Sequence, residues 1–214
     1  MEVFFTRDGS PSACHPVHGE SYHSRSGART QAERLYLSLG AVHLDPRPRV
    51  FELGFGLGVN FSITLHSARS RGAFLDYLAL EPEPVSLKTL ANTLGLIDPG
   101  LFATLKPHWG GDLLIKTDVF RLRVLVSRVQ RWRPSGVRFR TVYFDPFSPR
   151  TNPDVWKPGV YAKMYRILEP GGVLVTYSVA GHVRKGLEAA GFAVEMVPGW
   201  GGKRSWLRAR RPTE

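Results

Sequence analysis

Cysteine, long apolar runs and acidic residues in the second half are all scarce in this chain, and each shortage excludes something. A single cysteine, Cys14, in 214 residues rules out a disulfide framework and any all-cysteine metal site, and it fits a reducing compartment. No metal is expected. No apolar stretch approaches the ~20 residues needed to cross a bilayer, and residues 1–10 lack the basic-then-apolar pattern of an export signal. A cytoplasmic protein with no membrane partner is expected. Repeats and low-complexity tracts are absent too, so one α/β domain accommodates the chain, with a core large enough to hold without staples.

Acid is scarce on one side only. Residues 1–100 hold nine Lys/Arg against ten Asp/Glu, whereas residues 101–214 hold twenty against eight. The whole formal charge of +11 therefore comes from the second half, mainly from residues 121–140 and 203–211. Such asymmetry is the electrostatic footprint of a polyanion partner. It does not say which polyanion.

The most informative stretch is residues 49–60 (RVFELGFGLGVN). Val50, Phe51 and Leu53 form an apolar run that reads as a buried strand. Gly54, Gly56 and Gly58 follow on alternate positions, then an apolar-periodic segment over 59–65. A strand, a tight turn and a helix start bring bare backbone N–H groups close to a nucleotide-like ligand. Glu52, two residues before the first glycine, would repel a pyrophosphate, and the third glycine comes one position too early for a dinucleotide fingerprint. A ligand without phosphate and with cationic groups suits the acid better. S-adenosylmethionine, with its sulfonium and α-ammonium, is such a ligand.

Downstream, residues 73–80 read as a second strand that ends at Glu81, about the ~20 residues past the glycines at which an acid meets ribose hydroxyls in such folds. Helices are expected over 32–39, 82–94, 155–168 and 182–190, and further strands over 122–126, 138–145, 173–177 and 191–197. Glu169-Pro170-Gly171-Gly172 is expected to stop the third of those helices, and residues 204–209 to add an antiparallel edge strand. Residues 95–120 give no clear periodicity. Residues 1–45 read as an extension packed on a Rossmann-like domain of residues 46–214. Residues 141–149 (TVYFDPFSP) repeat the earlier theme, a buried strand ending in an acid, Asp145. Ligands of open parallel sheets bind beyond the carboxyl ends of the strands, so Glu52, Glu81 and Asp145 are expected around one crevice.

Several stretches together resemble one family: Asp8-Gly9-Ser10, Tyr22-His23-Ser24, residues 51–61, residues 143–156, residues 166–192, and Gly199 to Arg204. The chain resembles the methyltransferase domain of the MnmC family over nearly all its length. The resemblance implies a class I, doubly wound fold and a stand-alone form without the oxidase fused to many members. It implies transfer of a methyl group from S-adenosylmethionine to the 5-aminomethyl group of wobble uridine or thiouridine in the anticodon stem-loop of tRNA. Asp145 would be catalytic, while Glu52, Gly54, Gly56, Gly58, Asn60, Glu81 and Asp145 would hold the cofactor. Tyr22 and Phe147 would wall the base, and Arg184, Lys203 and Arg204 would meet phosphates. The family's Gly-Asp-Ala segment after its third strand is replaced by Ser127-Arg128-Val129, without the acid. Two rival readings remain, a methyl or aminopropyl transferase acting on a small amine, and a non-catalytic RNA-binding module on the same fold.

Overall fold

The computed structural model describes residues 1–202 and 205–213. Its centre is an eight-stranded sheet made of β3 (Arg49–Leu53), β4 (Leu75–Leu80), β5 (Leu113–Lys116), β6 (Phe120–Leu125), β7 (Phe139–Phe144), β8 (Leu168–Thr176), β9 (Ala193–Pro198) and β10 (Ser205–Arg210). The spatial order is β5-β6-β4-β3-β7-β8-β10-β9. The five strands from β6 to β8 run parallel, and β5, β10 and β9 each pair antiparallel. A separate hairpin joins β1 (Val3–Phe5) to β2 (Pro11–Ala13).

Alternation along the strands divides the apolar residues between two faces. Val50, Leu75, Tyr77, Ala79, Tyr143, Val173 and Val175 belong to one buried cluster. Their alternates Phe51, Leu53, Leu78, Leu80, Val142, Phe144 and Leu174 belong to the other. The first face is covered by α1 (Ala28–Gln31), the π-helical segment Ala32–Ser38, and α2 (Val59–Ser70). The second is covered by α6 (Pro158–Ile167) and α7 (Gly181–Ala189). Residues 1–44 contribute Ala13, Ala28, Ala32, Leu35, Tyr36 and Val42 to the same cluster as the sheet. This segment is part of the core on that face. Among the described residues no helix is long and apolar enough to cross a membrane.

Several sequence expectations change. Helix 82–94 is not continuous. Pro82 and Pro84 lie in a non-helical stretch, and Ser86 caps a short α3 (Leu87–Ala91) by accepting from the Thr89 amide at 3.2 Å. Two further short helices follow, α4 (Leu94–Ile97) and α5 (Pro99–Leu105). The helix expected over 32–39 is π-wound, and the one over 155–168 starts as a 3₁₀ turn at Pro153–Trp156 and ends at Ile167. Residues 169–172 do not lie outside the sheet. Gly171 donates to the Arg211 carbonyl at 2.9 Å and Arg211 donates back to Gly172, so β8 extends through the turn-like sequence. The final strand is also not at the edge. β10 lies between β8 and β9, with Trp206, Leu207 and Ala209 buried.

Helices α6 and α7 meet closely at Gly186. A β-carbon there would lie 2.4 Å from Cε2 of Tyr161, which is itself buried. Alanine at 186 should favour the isolated helix by ~1 kcal/mol, yet the clash with a fixed ring outweighs that gain. Gly186→Ala is expected to cost about 1–3 kcal/mol net, measurable as a lowered urea midpoint with unchanged slope. An unchanged midpoint would show that α7 is free to shift.

Candidate functional site

The carboxyl ends of β3, β4, β6 and β7 open into a cavity of about 1,060 Å³. The turn after β3 forms part of its wall. Gly54, Gly56 and Gly58 all have positive φ, at 92°, 53° and 74°, a region that side chains enter at a cost. Crowding adds a second requirement at the first two. A β-carbon at Gly54 would lie 2.8 Å from the Asp145 carbonyl oxygen, and one at Gly56 would lie 2.9 Å from the Tyr22 ring. The backbone itself therefore faces the cavity at Gly54 and Gly56, while Gly58 starts α2 behind them.

Each strand-end acid has a different environment. Glu81 follows the last residue of β4, is 8% exposed and lines the cavity. It accepts from the Gly56 amide at 2.8 Å and the Glu83 amide at 3.0 Å. Burial pushes its carboxyl up, and those two amides act in the opposite sense. One bond to each oxygen leaves lone pairs for further donors. Asp145 follows the last residue of β7 and also lines the cavity, accepting from Asn60 Nδ2 at 2.9 Å.

Glu52 differs. It lies inside β3 and shares the face of Val50, so its side chain points beneath α2, fully buried. It receives Asn60 Nδ2 at 2.8 Å and the Tyr77 hydroxyl at 2.9 Å. It does not line the cavity, contrary to its expected place at the mouth of the turn. Burial drives its carboxyl well above the usual carboxylate range. The Asn60 and Tyr77 bonds oppose this, and nearby Asp145 and Glu81 reinforce it. The three acids do converge, and the Asn60 amide joins two of them.

A further part of the wall, against Gly56, is aromatic. Phe147 lies edge-on to Tyr22 at 5.1 Å and to His15 at 5.0 Å, and it packs on His18 at 4.6 Å. Tyr22 and Phe147, both named from sequence, are thus in contact, while His15 and His18 were missed. His15 Nδ1 accepts the amides of Val17 and His18 at 3.2 and 3.1 Å. Burial lowers the His15 pKa and His18 adds to that, against Glu83. Glu20 ties this wall to the Asp145 loop, accepting from the Ser148 amide at 3.0 Å and its hydroxyl at 2.5 Å. Tyr177 closes the same loop by donating to the Pro146 carbonyl at 2.9 Å.

The segment that replaces the family's acid also lines the cavity, with Arg128 and Arg131 exposed on its rim. It is held from below by Lys163. This buried ammonium donates to the carbonyls of Val129, Gln130 and Trp132. No local pattern marks Glu20 or Lys163, because their partners lie 128 and 31–34 residues away. Arg184 lies on the exposed face of α7, paired with Glu188 at 2.9 Å, and does not line the cavity. Lys203 and Arg204 lie outside the described residues. Among the described residues no cluster of His, Cys, Asp or Glu could hold a metal ion.

A glycine turn whose main chain lines the cavity, a strand-end acid with spare lone pairs and an acidic floor suit a ligand with a ribose diol at one end and cationic groups at the other. S-adenosylmethionine meets that description. With the strand order above, the arrangement is that of a class I, Rossmann-like methyltransferase. A family model described as S-adenosyl-L-methionine-dependent methyltransferase matches residues 105–212. The chain belongs to this family of S-adenosylmethionine-dependent methyltransferases, and within it aligns with MnmC proteins.

The tRNA 5-methylaminomethyl-2-thiouridine biosynthesis bifunctional protein MnmC of an Azoarcus species is 33% identical over 96% of this chain. The protein of the same name from Aromatoleum aromaticum is 32% identical over 96%. The chain spans about a third of the length of these relatives, 35% and 34%. Among solved structures, MnmC2 from Aquifex aeolicus superposes over 100% of this chain and 70% of its own, with a TM-score of 0.82 at 22% identity. That likeness is one of fold.

Glu81→Ala removes the acceptor that holds the Gly56 amide and faces the cavity. Affinity for S-adenosylmethionine is expected to fall at least about tenfold, since hydrogen bonds to a charged group are worth roughly 1.5–3 kcal/mol each. Titration calorimetry measures it, and unchanged affinity would remove Glu81 from the cofactor site.

Proposed function

We propose that this protein transfers a methyl group from S-adenosylmethionine to the primary amine of a 5-aminomethyl group on wobble-position uridine or thiouridine in tRNA. The observation that carries this reading is the composition of one cavity. Its floor is acidic at Asp145 and Glu81, one wall is aromatic at Tyr22, His18 and Phe147, and basic Arg25, Arg128, Arg131 and Lys157 also line it. An amine attached to a flat base on an anionic chain fits all three. The names of the relatives point to the same substrate.

Bound S-adenosylmethionine supplies an electrophilic methyl group on a good leaving group. The chain's own residues must align an amine with it and keep that amine's lone pair available, and alignment is worth ~7–11 kcal/mol. In this reading Glu81 accepts the ribose hydroxyls, and Gly54 and Gly56 let the main chain approach the donor, with Gly58 starting α2 behind them. Asn60 and Asp145 face its amino-acid end. Glu52 acts one layer further in, through Asn60. An alkylamine is mostly protonated in neutral water and has no lone pair to attack with. Asp145 accepts an N–H, turns the lone pair toward the methyl group and takes the departing proton, a contribution of ~10²–10⁴ in rate. The cationic rim assists by making a further positive charge in the cavity unfavourable.

Phe147 and Tyr22 wall the base, as aromatic residues do for unstacked nucleotides. The rim arginines meet phosphates more directly than Arg184, which belongs to another face.

Asp145→Asn keeps the shape and loses the base. Methyl incorporation into precursor-bearing tRNA is expected to drop about 10²-fold or more, with S-adenosylmethionine affinity kept within severalfold. Near-normal transfer would remove Asp145 from the role. A second measurement addresses the RNA. Affinity for tRNA should fall steeply with salt, and Arg128→Ala with Arg131→Ala should lower the slope of log K against log salt by about one per residue. A flat salt response would instead favour a small amine substrate. Loss of cofactor binding in the native protein would favour an RNA-binding module.

A further inference from the structure

The turn that follows β2 fixes a histidine in one chemical form. His15 is 5% exposed and lines the cavity. Its Nδ1 accepts the amides of Val17 and His18, and its carbonyl accepts the Gly19 amide at 2.9 Å. A ring nitrogen that accepts N–H groups carries no proton, so the proton of the neutral imidazole sits on Nε2. Charging the ring would put a proton on Nδ1, facing both amides. Burial and His18 oppose the charge as well, with Glu83 pulling the other way. His15 is a neutral ring with one N–H donor in a set place.

That donor is unused. Among the described residues no hydrogen bond engages Nε2, and Glu83 Oε2, at 4.0 Å, is beyond hydrogen-bond reach. Glu83 also lines the cavity, so the ring turns its Nδ1 edge to its own turn and its Nε2 edge toward the cavity side. The missing partner is an acceptor, and a neutral one, because the Glu83 carboxylate would repel a phosphate or carboxylate. The surrounding rings indicate what carries it. Phe147 at 5.0 Å, Tyr22 at 5.9 Å and His18 at 4.5 Å flank His15, and Phe147 stands two residues beyond Asp145 on one loop. A base against Phe147, with its aminomethyl group at Asp145, brings the ring carbonyl beside that group to this wall. On uracil that carbonyl is at C4, since C6 carries only hydrogen, and it is common to uridine and 2-thiouridine.

We propose that His15 is a specificity-determining residue whose Nε2–H donates to the C4 carbonyl oxygen of the substrate pyrimidine and so selects uracil over cytosine. It rests on the tRNA reading of the site. Cytosine carries an amino group at C4, and two donors would then face each other. Two substitutions separate this role from a purely structural one. His15→Asn keeps an acceptor where Nδ1 stands, in the manner of an Asx turn, and withdraws the outer donor. His15→Gln places an amide N–H near Nε2 and gives up the local acceptor. The measurement is steady-state methyl transfer by the full chain to two anticodon stem-loops, one with 5-aminomethyluridine and one with 5-aminomethylcytidine at the wobble position.

The native protein is expected to favour the uridine stem-loop in kcat/KM by about tenfold or more. His15→Asn should lose most of that preference through a higher KM for the uridine stem-loop, with S-adenosylhomocysteine affinity unchanged, while His15→Gln retains it. A residue that merely caps its turn gives the reverse order, His15→Asn native and His15→Gln impaired on both stem-loops, and that result overturns the proposal. So does a loss of S-adenosylhomocysteine affinity in His15→Asn in step with transfer, which would put His15 on the cofactor. Should neither variant fold, spectra of the native protein with nitrogen-labelled histidine replace them. A histidine Nε2–H is expected to become protected from exchange with the uridine stem-loop and not with the cytidine one, and unchanged exchange overturns the proposal. If the native protein methylates neither stem-loop, the tRNA reading falls and this inference with it; if it methylates both alike, this inference falls alone.

Discussion

Two carboxyl groups from neighbouring strands approach one another under α2, and the Asn60 amide lies between them. Without a shared donor, Glu52 and Asp145 would repel in a medium that screens charge poorly. With it, Asp145 is held toward the cavity and Glu52 is kept in the core. The tyrosines around the pair answer to the same constraint. Tyr77 donates to Glu52, Tyr143 shares a hydrogen bond with Thr64 at 3.1 Å, and the Tyr36 hydroxyl is raised by burial and by Asp145. The glycine turn depends on this layer too, since Gly54 packs on the Asp145 backbone and Gly56 is held by Glu81.

The first 44 residues finish what the sheet begins. Ala28, Leu35 and Tyr36 fill the face that α2 leaves uncovered, and the stretch from His15 to Tyr22 becomes a wall of the cavity. Buried His23 shows how firmly it is seated. Burial holds its pKa at about 4 against a modest pull from Asp8, so it is neutral at physiological pH and bonds Ser12 at 3.2 Å. Asp8 in turn collects Thr6, Ser10 and Thr30. The polar segments of this extension are tied down by the Asp8 side-chain bonds at one end and by Glu20 to Ser148 at the other.

Local chemistry made much of this legible. The strand–glycine–helix at 49–60 is written in apolar runs and in residues that tolerate positive φ. Glu81 and Asp145 could be placed because each directly follows a strand, where the chain leaves the sheet and side chains turn into the crevice. Glu52 was misplaced for a reason the same pattern contains. It is in register with Val50 inside β3, so parity sends it into the core, not to the mouth. Strand β5 was hidden because only Leu113 and Ile115 of its four residues are buried. Which of β9 and β10 lies inside is not a local property at all, and neither are the partners of Glu20 and Lys163. Proline and glycine at 170–172 read as a stop when considered alone. Pairing with Arg211 overrides that preference.

The placement of β10 has a consequence for assembly. Among the described residues β9 finds its sheet partner only in β10, while β10 bonds β8 on its other side. The segment made later is therefore the one that must dock first or jointly, and a nascent chain that has emerged only as far as Pro198 has nothing for that strand to join. Order of synthesis and order of attachment are reversed at this margin, so the last quarter of the sheet closes as a hairpin unit and not strand by strand.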